Sequence, residues 1–144
     1  MKPVLWFRLS AGILLLFAIG HTVGFLTFRP AAAEGLAVWN AMNNVHFSQD
    51  GYTFSYAGFY KGLGLFVTGC DLFLAWMAWR LGSMARRGVS DTRAIAWVMC
   101  ALQAVGMVLA WSFFALPQII LSAVAALCLG VGAWSSGRQK ESGV

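Results

Sequence analysis

In this chain of 144 residues, 60% of the side chains are hydrophobic and only 10% are charged. Ordinary soluble domains carry about 25% charged residues, so the composition excludes that class and points to a membrane protein. The net charge of +5 does not indicate nucleic acid, because the basic residues are scattered over short segments with no organised stripe.

The excess of apolar residues is concentrated in four segments, 9–28, 57–79, 94–114 and 118–134. A helix needs about 20 residues, with a range of ~17–25, to cross the hydrocarbon core. All four segments qualify, and together they leave no room for a separate soluble domain. The predicted fold is all-α, a four-helix transmembrane bundle forming a single integral membrane domain over residues 1–144. A folded outer loop, 29–56, joins the first two helices.

The first segment follows Lys2 and Arg8 as the apolar region of a signal peptide would, and Ala31-Ala32-Ala33 mimics a cleavage site. Its apolar run exceeds the ~7–15 residues of a signal peptide, and Arg29-Pro30 sits badly before a cut. It is read as a retained transmembrane helix. His21 shares a face of it with Ser10, Leu14, Phe17, Gly24 and Phe28. Gly20-x3-Gly24 matches the small-xxx-small packing pattern and is expected to meet the second helix.

In the outer loop, Leu36, Trp39, Met42-Asn43 and His46 recur at three- and four-residue spacing, which predicts a short amphipathic helix on the outer surface. Tyr52, Phe54, Tyr56, Phe59 and Tyr60 follow as an interfacial aromatic belt. Trp39, His46, Tyr56 and Tyr60 are the candidate outer-cap residues. Trp6, Trp76, Trp79 and Trp134 form the corresponding belt at the other face.

The second segment carries the clearest pattern. Steps of four and three from Ala57 reach Lys61, Gly64, Thr68, Asp71, Ala75 and Ala78, every one small or polar, within an arc of about 100°. Phe59, Leu63, Phe66, Leu72, Phe73 and Trp76 occupy the other faces and suit lipid. Such a seam belongs against other helices. Asp71 stands near the middle of the segment, where an acidic side chain costs roughly 3 kcal/mol on insertion scales.

On the third segment Gln103 shares a face with Ala96, Met99, Gly106, Met107 and Ala110; on the fourth, Ser122 lies with Gln118, Ala126 and Leu129. The near-minimal Pro117-Gln118 connection makes these two an antiparallel hairpin. Cys70, Cys100 and Cys128 all fall inside predicted helices, which argues for packing and against a disulfide framework.

Charge sets the threading. Lys2, Arg8, Arg80, Arg86, Arg87, Arg93, Arg138 and Lys140 flank the helices on one side, and only Arg29 and Lys61 on the other. The positive-inside rule then places both termini in the cytoplasm, N-in and C-in.

Asp71, His21, Lys61, Thr68 and Gln103 are the candidate intramembrane polar core. Counting ~1.5 Å per residue, Lys61 lies ~10 Å and His21 ~4 Å to the outer side of the midplane, and Asp71 ~4 Å to the inner side. One reading is a polar clasp that fixes helix register, with Asp71 protonated or hydrogen-bonded to Thr68, Gln103 or His21. The other is a hydrated pocket for a proton, ion or small amphiphile, opening outward past Lys61. With His21 the one histidine in the four segments, a monomer offers no bis-histidine haem site, and no cluster has metal-ligand spacing. No cofactor is expected, and no catalytic constellation is present.

The run His46-Phe47, Gly51, Tyr56, Phe59-Tyr60-Lys61-Gly62-Leu63-Gly64, with the histidine late in the first helix, resembles a motif of uncharacterised small bacterial four-helix integral membrane proteins. That family often carries an acidic residue at the place held here by Gly58. The resemblance implies the four-helix architecture and a bacterial cytoplasmic membrane, and brings no activity with it. DoxX-like proteins are similar in layout only. The leading functional expectation is an accessory subunit or a binder of a small hydrophobic molecule, with the lipid bilayer, a membrane-protein partner or a second copy as partners. The alternatives are a proton-linked transporter or channel component using Asp71 and His21, and a redox membrane enzyme component.

Overall fold

The computed structural model describes residues 2–141, with side chains for residues 2–137; the side chains of Arg138 and Lys140, counted in the charge asymmetry, lie outside the described residues. The described chain runs α1 (Pro3–Thr27), α2 (Ala33–Asn44), β1 (His46–Gln49), β2 (Tyr52–Ser55), α3 (Tyr56–Arg86), α4 (Thr92–Phe113) and α5 (Leu116–Glu141). The fold is all-α apart from one small hairpin. Among the described residues α1, α3, α4 and α5 are long and apolar enough to cross a membrane. Their outward faces bear large apolar side chains, Phe66 at 71% exposure and Trp111 at 78% among them. Water would reject so much apolar surface, and lipid accepts it. This is a multi-pass membrane protein.

The helices outrun their apolar segments because hydropathy marks only the part within hydrocarbon. Helical hydrogen bonding continues until a local stop signal ends it. Pro3 opens α1, where its missing N–H costs nothing. Ser55 opens α3, its Oγ accepting from Gly58 N at 3.0 Å as an N-cap. At the far end of α3, Gly88 adopts φ 70°. Its N–H donates to Ala85 O at 3.3 Å, and Val89 N–H donates to Met84 O at 3.2 Å. That paired pattern is a Schellman stop.

Between α1 and α3 the structure corrects the expectation. A helix does form, but it ends at Asn44, and His46 lies in β1 instead of on a helical face. Leu36 is exposed, while Gly35, Trp39 and Met42 are half-buried. β1 and β2 pair antiparallel, Phe47 opposite Phe54 and Gln49 opposite Tyr52. Asp50 (φ 52°) and Gly51 (φ 84°) make the two-residue turn, and an Asp-Gly pair with both φ positive is the preferred type I′ chemistry.

The chain divides into two compact units. One comprises Ile19–Cys70: the end of α1, α2, the hairpin and the first half of α3. The other comprises the chain up to Ala18 and from Asp71 onward. It is itself a four-helix bundle, with Phe7, Ala11 and Leu14 of α1, Ala75, Ala78 and Leu81 of α3, Ala96 and Met99 of α4, and Ala125, Leu129 and Ala133 of α5 sharing one core. Small residues set its helix spacing. A Cβ on Gly132 would lie 2.5 Å from the Phe7 ring, and one on Gly130 3.4 Å from Cys100 Sγ. The Cys100 thiol donates to Ala126 O at 3.3 Å, which ties α4 to α5 across the short connection. Cys128 is buried and Cys70 exposed, and all three thiols are free.

Candidate functional site

The α3 seam turns inward as its spacing predicts. Ala57, Asp71, Ala75 and Ala78 are buried, and Gly64 and Thr68 are half-buried. Phe59, Leu63, Phe66, Leu72, Phe73 and Trp76 are exposed. Lys61 is the exception: it is exposed, and no hydrogen bond or ion pair of the described residues involves it.

Within the unit Ile19–Cys70, three polar side chains converge. His21 Nδ1 lies 3.2 Å from Thr68 Oγ1. Thr22 Oγ1 lies 2.8 Å from the same hydroxyl. Thr68 donates back to Gly64 O at 3.2 Å, one turn earlier on α3. A hydroxyl has one proton and two lone pairs. When its proton is on Gly64 O, Thr68 offers His21 a lone pair, which suits a protonated Nδ1.

An aromatic wall adjoins this cluster. The His21 ring stacks on Phe25 at 5.6 Å and 17°, and Phe25 meets Tyr60 edge-on at 5.8 Å. Gly64 is what admits Phe25, since a Cβ there would lie 2.6 Å from two carbons of its ring. Hydrogen-bonding groups and flat apolar faces thus lie side by side in this unit.

The other unit holds the remaining two polar-core candidates. Asp71 is 6% exposed and Gln103 7%, with Ser10, Thr92 and Ser122 buried beside the same core. Asp71 Oδ2 has no hydrogen-bond partner among the described residues, and no hydrogen bond joins Asp71 to Gln103. Thr68 is engaged by His21, Thr22 and Gly64 of its own unit, and Asp71 is buried with Oδ2 unsatisfied among the described residues.

The four cap candidates separate into local contacts. Tyr60 belongs to the His21–Phe25 wall. Tyr56 packs at 4.9 Å on Phe47, which also meets Phe54 and Phe59. Trp39 meets Phe28 at 6.4 Å and carries the Arg29 guanidinium 5.2 Å above its ring. His46 is exposed, its Nδ1–H donating to Asn44 O at 2.9 Å.

Sequence reasoning missed Thr22 and Phe25. The residues that turn inward along α1 are Pro3, Phe7, Ser10, Ala11, Leu14 and Ala18, with His21, Thr22 and Phe25 half-buried beyond them. Gly24 and Phe28, placed on the His21 face, are exposed. α1 is apolar on all sides, so a lone histidine could not say which flanking column turned inward. A hydroxyl beside that histidine was the available signal. Gly20 and Gly24 are exposed and a Cβ on either would meet nothing within 4 Å, so the packing predicted for them is not made.

No protein-family model matches this chain, and no curated protein or solved structure does.

Proposed function

We propose that this chain binds a small hydrophobic molecule carrying a hydrogen-bonding head, as a non-enzymatic protein or accessory subunit of a bacterial cytoplasmic membrane. The observation that carries the reading is the His21–Thr68–Thr22 cluster beside the Phe25–Tyr60 wall. The imidazole and hydroxyls take the head, and the rings lie along the body. Membership in the small bacterial four-helix family belongs to the same proposal, supported by the run at 46–64 and by His21 late in α1. So does the N-in, C-in threading, supported by the basic residues late in α3 and early in α4. Native mass spectrometry of protein extracted from its own host's membranes tests the reading: a bound small molecule is expected in the wild type and lost in His21→Phe, which keeps the ring stack and removes both nitrogens.

A second reading rests on Asp71, buried with Oδ2 lacking a hydrogen-bond partner among the described residues. Intramembrane acids of this kind mark proton and ion paths. On that reading the protein is a proton-linked transporter or channel component using Asp71 and His21. Proteoliposomes would show pH-dependent charge movement that Asp71→Asn abolishes.

A further inference from the structure

At the end of α3 remote from the hairpin, two tryptophans face outward, each beneath an arginine. Trp76 is 55% exposed and Trp79 51%. The Arg80 guanidinium carbon lies 6.0 Å from the centre of the Trp76 ring, and that of Arg8 lies 4.6 Å from the centre of the Trp79 ring. The two indoles are three residues apart on α3 and so are neighbours on its surface. Arg8 comes from α1, and its position is fixed by packing. A Cβ on Gly82 would lie 3.5 Å from Arg8 Cγ and 3.5 Å from Val4 O, ordinary contact distances that place the Arg8 stem against α3.

Among the described residues these cations lack an anion. Arg8 Nε is buried with no acceptor, and among the described residues neither Arg8 nor Arg80 makes an ion pair. Asp71 is buried in the inward seam of α3, and Asp91 accepts from Ser90 Oγ at 3.1 Å in the turn beyond. Beneath the arginines the flank turns apolar. The Phe73 ring lies 5.8 Å from Trp76, and Leu72 and Phe73 are exposed. Guanidinium forks pair bidentately with phosphate, and indoles favour the depth at which headgroups meet acyl chains.

We propose that Arg8, Trp79, Trp76 and Arg80 form a binding site for the headgroup of an anionic phospholipid, its phosphate held by the two guanidiniums and an acyl chain lying along Trp76 and Phe73. The occupant is a lipid because the site is continuous with an apolar face that a free anion or an acidic peptide would not cover.

Native mass spectrometry with added phosphatidylglycerol, phosphatidylcholine or inorganic phosphate tests this. The wild type is expected to retain phosphatidylglycerol in preference to phosphatidylcholine and to ignore inorganic phosphate. Arg8→Gln/Arg80→Gln is expected to weaken phosphatidylglycerol about tenfold relative to Arg86→Gln/Arg87→Gln, which removes the same charge at the exposed end of the helix. Equal weakening in the two double variants would overturn the site in favour of diffuse surface charge. Equal retention of the two lipids, or binding of inorganic phosphate as tight as of lipid, would also overturn it. If the glutamine pair lowers helical content, Arg8→Lys/Arg80→Lys keeps both charges without the forked geometry. A loss of about threefold is then expected, and an unchanged affinity would contradict the proposal.

Discussion

The ring of Phe25 occupies the place where a side chain on Gly64 would stand, two of its carbons lying 2.6 Å from the ideal Cβ position. Through that one close approach the α3 seam holds the wall on which His21 stacks. Gly64→Ala must displace Phe25, and overpacking of this kind costs roughly 1–3 kcal/mol. The accompanying gain in helix propensity is at most about 1 kcal/mol. Gly24→Ala meets nothing and keeps only the gain. Thermal unfolding in detergent should therefore lower the midpoint for Gly64→Ala and leave it unchanged or raised for Gly24→Ala. Adding Phe25→Leu to Gly64→Ala should recover most of the loss.

Asp71 leads to a prediction opposite to the one its sequence context invites. Were it a clasp, Asp71→Leu would strand hydrogen-bond partners and destabilise the bundle by about 1–3 kcal/mol. Its Oδ2 has no hydrogen-bond partner among the described residues, so leucine removes a buried, unsatisfied oxygen. Asp71→Leu should match or exceed the wild type in thermal stability, and Asp71→Asn should stay close to it. A midpoint lowered by several degrees in Asp71→Leu would restore the clasp.

The hairpin and the start of α3 are joined through Ser55, the last residue of β2 and the N-cap of the helix. Ser55→Ala should cost about 1 kcal/mol, within the ~0.5–2 kcal/mol usual for caps. Gly51→Val places a branched residue at φ 84°, where left-handed backbone costs about 1–2 kcal/mol. Amide hydrogen exchange should show faster exchange for residues 46–55 in Gly51→Val, with α4 and α5 unaffected.

Threading is tested at two exposed positions with ordinary backbone geometry, since Gly51 and Gly88 both have positive φ and would be strained by any side chain. A membrane-impermeant thiol reagent should label Gln49→Cys in intact cells and leave Val89→Cys unlabelled until the membrane is opened, each compared with the wild-type background. The reverse pattern would invert the orientation.

How far the sequence could be read follows from contrast between side chains. α3 mixes small and polar residues with large apolar ones, so its seam was legible from Ala57 to Ala78, with Lys61 the one position that turns outward. α4 and α5 were legible for the same reason, and Ala96, Met99, Gln103, Ala110, Ser122 and Leu129 are all buried. α1 offers no such contrast, and the column containing Thr22 and Phe25 could not be told from the one containing Phe17 and Gly24. The hairpin was written in Asp50-Gly51, but its strands are only four residues each and lie among aromatics that an interfacial belt explains equally well. Of the polar-core candidates, Asp71 and Gln103 are buried, His21 and Thr68 are half-buried, and Lys61 is exposed. Their bonding was not legible, because hydrogen bonds depend on ångström-scale placement that helical periodicity does not fix.

The central claim is that ligand recognition resides in the His21–Thr68 cluster and not at the buried carboxylate. Parallel native mass spectra of Thr68→Val and Asp71→Asn, each extracted from host membranes beside the wild type, test it most directly. Thr68→Val keeps the shape of the side chain and removes the hydroxyl that His21 and Thr22 share. The expected result is that the wild type and Asp71→Asn carry the same bound small molecule while Thr68→Val has lost at least nine-tenths of it, about 1.4 kcal/mol of binding. Retention in Thr68→Val together with loss in Asp71→Asn would contradict the claim and move the site to the carboxylate.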